Sequence, residues 1–373
     1  MTSISTRITP ISSTLGAVRT TSPRITGDRS LTSTYSGLLS TVRDAGLLRR
    51  RRGFYITVFS VLVLALLGCA AGFVLLGPSW FQLLIAAALG VILTQFAFLA
   101  HEASHRQVFE SGKVNDRAGR ILASGIVGMS YSWWMTKHTR HHANPNTVGK
   151  DPDIETDTIS FVEEEAAKSK GLVRAITRKQ GYLFFPLLLL EGLNLHFRSI
   201  SSLLERRKIE GRALELSLIG VRLSVYVAAI FLLLPPGMAF AFIGVQLAVF
   251  GVYMGASFAP NHKGMPLIAE GAKIDFLRKQ VLTSRNIKGG FGMSLAMGGL
   301  NHQIEHHLFP SMPRPHLGRA RQIVKEHCAN ENIPYTETGL VRSYGIVIDY
   351  LNRVGLSARD PFDCPEVNRY RRR

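Results

Sequence analysis

Long apolar runs organise this chain. No charged residue occurs between Arg52 and Glu102, and the interval divides into two runs, 54–76 and 80–100, at Gly77-Pro78-Ser79. As a helix rising ~1.5 Å per residue, the first run reaches about 34 Å. That is enough to cross a hydrocarbon core of roughly 30 Å. Trp80 suits the interface at the start of the return run. A second pair, 216–234 and 238–258, is split by Pro235-Pro236-Gly237. Arg222 lies inside the first of these, where a long side chain can snorkel to the interface. The pattern predicts an all-α integral membrane protein with four transmembrane helices in two hairpins. Two other apolar stretches do not fit as spans. The stretch 121–135 is too short, and 182–197 contains Glu191, Asn194 and His196. Both are expected to be interfacial or buried helices.

Charge orients this arrangement. Both connecting turns, 77–79 and 235–237, are uncharged, whereas Arg49-Arg50-Arg51-Arg52, Arg206-Arg207-Lys208 and Lys263 all lie on the other side. By the positive-inside rule both termini, 101–213 and 259–373 are cytoplasmic. Lys and Arg number 44 against 26 Asp and Glu, a net charge of +18, yet only 19% of the 373 residues are charged and 46% are hydrophobic. An oily and basic chain of this kind fits a multi-span membrane protein better than a soluble domain or a nucleic-acid binder. Three cysteines exclude a disulfide framework, a four-Cys zinc site and a four-Cys iron–sulfur cluster. Residues 1–48 are rich in Ser and Thr, with no acid before Asp28. They read as a disordered cytoplasmic tail rather than a transit peptide, because no amphipathic stripe is visible. Residues 346–373 read as a basic C-terminal tail near anionic lipid.

The histidines carry the candidate chemistry. Eight of the twelve fall in three tight groups: His101 with His105, His138 with His141 and His142, and His302 with His306 and His307. All three lie in cytoplasmic segments, the first continuing directly from a span, so they can converge just outside the membrane. Residues i and i+4 of a helix share a face, so His101 and His105 can reach one metal. His138, His141 and His142 cover only about 100° of helix circumference. About eight nitrogens are too many for one catalytic zinc, which takes three protein ligands, so two metals sharing them fits better. Imidazole suits iron, copper, nickel and zinc alike, so ligand type does not choose the metal. At the third group two residues compete. Gln303 with His306 and His307 spans about 100°, whereas His302 with the same pair spans about 140°. Position favours Gln303, and ligand atom favours His302.

The boxes HEASH (101–105), HTRHH (138–142) and QIEHH (303–307), in this order around two span hairpins, resemble those of the integral-membrane fatty acid desaturases. The resemblance runs from about Phe54 to Val341 and includes Trp133-Trp134, Pro145-Asn146, Asp151-Pro152-Asp153 and Leu308-Phe309-Pro310. It implies a desaturase domain over 49–345, with a cytoplasmic helical cap holding a di-metal site. It also implies two iron ions with O2 as co-substrate, and insertion of a double bond into an acyl chain carried by CoA or by a lipid. The ligand set it implies is His101, His105, His138, His141, His142, His302, Gln303, His306 and His307. Some members add a histidine at the cytoplasmic end of the fourth span, and Pro260-Asn261-His262 occupies that place here. Glu102, Asp151, Asp153 and Glu305 are candidates to orient the imidazoles, and 121–135 and 182–197 to wall an acyl tunnel. His196 is read as a buried polar group, His316 and His327 as ordinary cytoplasmic residues. Gln303 occurs in the front-end subgroup, which often carries a fused cytochrome b5 with a His-Pro-Gly-Gly motif. That motif and a Gly-x-Gly-x-x-Gly signature are both missing here. The chain is thus similar to the stand-alone bacterial enzymes. It is expected in a bacterial cell membrane, taking electrons from an external ferredoxin, flavoprotein reductase or cytochrome b5-like donor.

Three rivals differ in what they require. An intramembrane zinc protease would use His101, Glu102 and His105 and leaves the other groups unexplained. A di-iron hydroxylase or ketolase shares the metal site and differs in product. A metal transporter wants ionisable groups inside the spans, whereas the histidine groups lie outside them.

Overall fold

A computed structural model describes residues 24–25 and 34–358. In chain order the helices begin with α1 (Tyr35–Asp44), α2 (Arg52–Leu76), α3 (Gln82–Ser104), α4 (Gly112–Arg120) and a π-helical turn (Ile121–Val127). They continue with α5 (Tyr131–Ala143), α6 (Glu163–Lys168), α7 (Gly171–Thr177), α8 (Gln180–Leu204), α9 (Arg212–Leu233) and α10 (Pro236–His262). The last part holds α11 (Phe276–Leu282), α12 (Phe291–Ala296), a 3-10 turn (Leu300–His302), α13 (Gln303–Leu308), α14 (Arg314–Asn330) and α15 (Leu340–Leu356). Four two-residue strands form two parallel pairs. Arg24–Ile25 (β1) lies beside Leu267–Ile268 (β2), and Asn286–Ile287 (β3) beside Glu337–Thr338 (β4). These pairs are clips between loops, and the regular structure of the described residues is otherwise helical.

The hairpin breaks follow local chemistry. α2 stops at Gly77, whose φ of 59° suits glycine. α9 ends before Pro235, and Pro236 opens α10 at a position where its missing N–H costs nothing. α10 is the centre of the bundle, packed on α3 and α8. A Cβ at Gly192 or Gly251 would overlap the facing backbone, so these glycines let α8 and α10 approach closely.

Among the described residues five helices, α2, α3, α8, α9 and α10, are long and apolar enough to cross a membrane. Four of them carry the apolar runs expected to span. The additional one, α8, contains 182–197; its most apolar window has a mean hydropathy of 1.2, the lowest of the five. Its inner half packs on the opposite end of the chain: Phe184 and Leu188 meet Val347, Tyr350, Leu351 and Val354 of α15.

Three other expectations change. The stretch 121–135 is not one helix. The π-turn ends at Gly128 (φ 92°), and α5 starts afresh where the Ser130 side chain accepts from the Trp133 amide at 3.1 Å. The tail expected over 1–48 ends sooner. α1 places Leu38 and Val42, with Leu47 beyond it, in a core shared with Leu277, Ile304 and Leu308. The rest of that tail lies outside the described residues apart from β1. The C-terminal tail likewise starts later than 346, because 347, 350, 351 and 354 form an i, i+3, i+4, i+7 stripe that α15 buries. Residues 359–373 lie outside the described part.

Candidate metal centre

α3 and α10 each run past their most apolar part into the cap. α3 delivers His101 and, at its C-cap, His105; α10 delivers His262 at its last turn. α5 carries His138, His141 and His142, and α13 carries Gln303, His306 and His307. The side chains gather into two adjacent groups. His101, His105, His138, His142 and His306 place ring nitrogens within 4.8 Å of one another, and so do His141, His262 and His307. In the first group His138 is central, its Nε2 lying 2.9 Å from His101 Nε2 and 2.7 Å from His105 Nε2. Trp134 stacks on its ring at 4.8 Å.

The hydrogen bonds around the second group fix where its free nitrogens point. His141 Nδ1 donates to Asp151 Oδ1 (3.0 Å), His262 Nδ1 to the Thr283 carbonyl (3.0 Å) and His307 Nδ1 to Gln280 Oε1 (2.9 Å). With Nδ1 protonated by these acceptors, each Nε2 presents a lone pair. His141 Nε2 and His262 Nε2 then lie 3.3 Å apart, close enough to share a bound cation. The buried Nε2 atoms of His142, His306 and His307 have no hydrogen-bond partner. Burial, followed by the neighbouring imidazoles, pushes the pKa of all three well below the ordinary histidine value, which keeps them in the neutral form a metal needs. Burial works against protonating His141 too, but Asp153 and Asp151 outweigh it and raise its pKa. Burial likewise opposes charge on Asp153, yet Lys137 at 3.0 Å, His141 and Lys263 hold that carboxyl well below its usual range.

Gln303 and His302 separate. The Gln303 amide sits beside the second group, its nitrogen 2.9 Å from His262 Nε2 and its oxygen accepting from Asn261 Nδ2 at 3.1 Å. Amide orientation is assigned from the network, so either end can face the imidazoles. His302 joins neither group. It ends the 3-10 turn that follows Gly299 (φ 82°), and its ring is directed at α14, with Nε2 3.8 Å from where a Gly318 Cβ would stand. Burial lowers its pKa to about 4.

Of the four candidate acids, two serve imidazoles. Asp151 bonds His141, and Asp153 Oδ2 lies 3.4 Å from the same Nδ1. Glu102 is instead buried in an ion pair with Arg314, whose Nε lies 2.6 Å from it. That pairing leaves no free carboxylate for the general base of a zinc protease. Glu305 accepts from Asn286 (2.8 Å) and Tyr335 (2.7 Å), and burial raises its pKa to about 7. His196 bonds the Gly192 carbonyl at 2.7 Å, and His327 meets Thr34 Oγ1 at 2.9 Å, both away from the groups.

A narrow apolar cavity of about 30 Å³ reaches His101 and Trp134 between Phe98, Val127, Met129 and Phe258. The 121–135 stretch supplies part of this wall; the 182–197 stretch supplies none.

The sequence profile of the fatty acid desaturases matches residues 78–339. The chain belongs to the fatty acid desaturase family. A Delta(8)-fatty-acid desaturase of Helianthus annuus is 28% identical over 339 residues, which cover 87% of this chain and 74% of that one. A Delta(6)-fatty-acid desaturase of Caenorhabditis elegans is 24% identical over 345 residues, covering 88% and 76%. An acyl-lipid (9-3)-desaturase of Physcomitrium patens is 28% identical over 285 residues, covering 74% and 54%.

Sequence reasoning about this desaturase-family site missed Gln280, which no motif marks. It is fully buried, holds the His307 ring through Oε1, and donates through Nε2 to the His142 carbonyl at 3.0 Å. One side chain thus ties the second box to the third. Gln280→Leu is expected to lower metal affinity about 10- to 100-fold, the usual effect of losing a group that orients a ligand. Iron content after graded chelator dialysis measures it. Unchanged retention would make the contact incidental.

Proposed function

We propose that the protein is an O2-dependent fatty acyl desaturase that holds two iron ions, one in each imidazole group, and takes electrons from an external donor. The reading rests above all on one observation: eight histidines from four separate segments converge in two groups beside an apolar cavity. His101, His105, His138, His142 and His306 would hold one iron. His141, His262 and His307 would hold the other, with Gln303 turned to present its oxygen directly or through water. Bound iron with O2 supplies the oxidising power to open an unactivated methylene C–H, which no acid or base in the site can do.

The protein's own part is placement and exclusion. Asp151, Gln280 and the Thr283 carbonyl set the ring orientation of the second group. The Glu102–Arg314 pair ties α3 to the start of α14 behind His101. Phe98, Trp134 and Phe258 give the cavity beside His101 an apolar lining, so an acyl carbon admitted there would meet the metal side in a poorly solvated setting. The activities for which the relatives are named, Delta(8), Delta(6) and acyl-lipid desaturation, agree in substrate class and differ in position. Fatty acyl chains on CoA or lipid are therefore the substrate class.

For orientation we favour four spans with the cap on the cytoplasmic side, α8 lying against the cap through α15. Basic side chains cluster there, and Arg49, Arg50 and Arg52, the last paired with Glu110 at 3.0 Å, line an open bowl of about 630 Å³ whose net positive charge suits an acidic donor protein. A charge reversal at Arg49 and Arg52 is expected to raise the KM for an acidic ferredoxin or cytochrome b5 several-fold and leave iron content unchanged; an unchanged KM would move the docking face elsewhere. Expression in a host of known lipid composition, with mass spectrometry of double-bond positions, tests the function itself. New unsaturated acyl chains support desaturation. Hydroxylated or keto products alone would shift the reading to the hydroxylase alternative.

A further inference from the structure

Between β3 and the third box the chain forms a segment that the metal site does not explain. α12 is flanked by Gly289-Gly290 on one side and Gly298-Gly299 on the other, the latter two at φ 57° and 82°. None of its residues is buried, and Phe291 and Leu295 are 79% and 46% exposed. Apolar exposure of this kind, on a helix without charged residues held against the spans, suits contact with hydrocarbon.

The helix is nevertheless held in place, by two polar residues of the spans. Gln95 of α3 donates to the Leu295 carbonyl at 3.2 Å, and Tyr253 of α10 donates to the Ala296 carbonyl at 2.6 Å. Gln95 also bonds the Tyr253 hydroxyl at 2.7 Å. Gln95 lies six residues before His101 and Tyr253 nine before His262, which at ~1.5 Å per residue is roughly 9 and 14 Å nearer the membrane than the metal groups. Farther along the same spans, Leu84 on α3 and Phe240 on α10 are exposed apolar side chains suited to the hydrocarbon.

The segment also reaches the acyl cavity. Met297 and Leu300 pack with Phe98, Tyr253 and Phe258, and a Cβ at Gly298 would overlap the Phe98 ring. Phe98 and Phe258 are cavity walls next to His101. At about 30 Å³ the cavity has space for about one water and none for an acyl chain, so a wall must move for substrate to enter.

We propose that residues 289–299 form a strap lying in the bilayer, hinged on its two glycine pairs, which backs the Phe98 wall and through which an acyl chain passes between the leaflet and the cavity. The partner of its outer face is the hydrocarbon of the membrane. The claim about passage rests on the desaturase reading; the claim about position does not.

The test uses the full chain in phosphatidylcholine nanodiscs, with Cys69, Cys328 and Cys364 replaced by serine and a nitroxide attached to Phe291→Cys. Power saturation by O2 and by a water-soluble nickel chelate reports depth. The strap predicts that O2 dominates, as for a control label at Leu84→Cys. Dominance by the chelate, as for Lys150→Cys, would overturn the proposal whatever the enzyme's activity. For passage, Gly298→Ala is expected to press Phe98 into the cavity and lower turnover about ten-fold with iron content unchanged. Full turnover would overturn the gating role. Should that variant not fold, Tyr253→Phe decides. Losing one latch should sharpen the spectrum of the label at 291, and a rigid label would contradict a hinged strap. Loss of all desaturation in the parent chain would fail the functional reading alone, since the depth measurement needs no catalysis.

Discussion

Replacing His138 with alanine is expected to abolish desaturation and to remove most of the iron of the first group. His138 Nε2 lies 2.9 Å from His101 Nε2 and 2.7 Å from His105 Nε2, so its ring is the hub of five converging imidazoles. Loss of a direct ligand should exceed the roughly 10- to 100-fold effect of removing an orienting neighbour, and a fall in activity of more than about 1,000-fold is anticipated. His327→Ala is the control, because that ring bonds Thr34 and lies outside both groups. Fatty-acid analysis together with iron determination on both variants checks this. Retained iron and turnover in His138→Ala would mean that the five imidazoles are not a ligand set.

The second large effect separates two neighbours. Gln303→Ala is expected to lose most activity and about half of the iron, whereas His302→Phe keeps most of both. Gln303 stands 2.9 Å from His262 Nε2 and is held there by Asn261. The His302 ring is turned toward α14, away from both groups. A phenyl ring occupies similar space among the same neighbours, so His302→Phe should cost little beyond local repacking. Iron per chain and double-bond yield on the two purified variants give the answer. The reverse pattern would make His302 the ligand and leave Gln303 a bystander.

Much of the site was legible because ligand spacing is a local, helical property. The i, i+4 pair at His101 and His105 and the crowded set at His138, His141 and His142 lie on helices, where sequence spacing becomes angular spacing. The spread argument for Gln303 over His302 draws on the same property, since 303 to 308 is one helical turn and a half. His262 was accessible through the end of an apolar run. What sequence did not reveal were contacts between segments far apart in the chain. Gln280 joins His142 to His307, and Arg314 takes Glu102 out of play; neither sits in a spacing pattern. The tails failed for another reason. Serine-rich and basic composition hid the short apolar stripes that pack Leu38 and Val42 against the third-box helix and Val347 and Leu351 against α8. α8 illustrates a limit of hydropathy. Glu191, Asn194 and His196 dilute a helix of 25 residues whose length and composition would allow it to cross without requiring that it does.

The metal content of the purified chain tests the central claim most directly. Two imidazole groups, one of five rings and one of three with Gln303 beside it, predict about two irons per chain by elemental analysis of active protein in detergent. One zinc and no iron, with desaturation intact, would contradict the account.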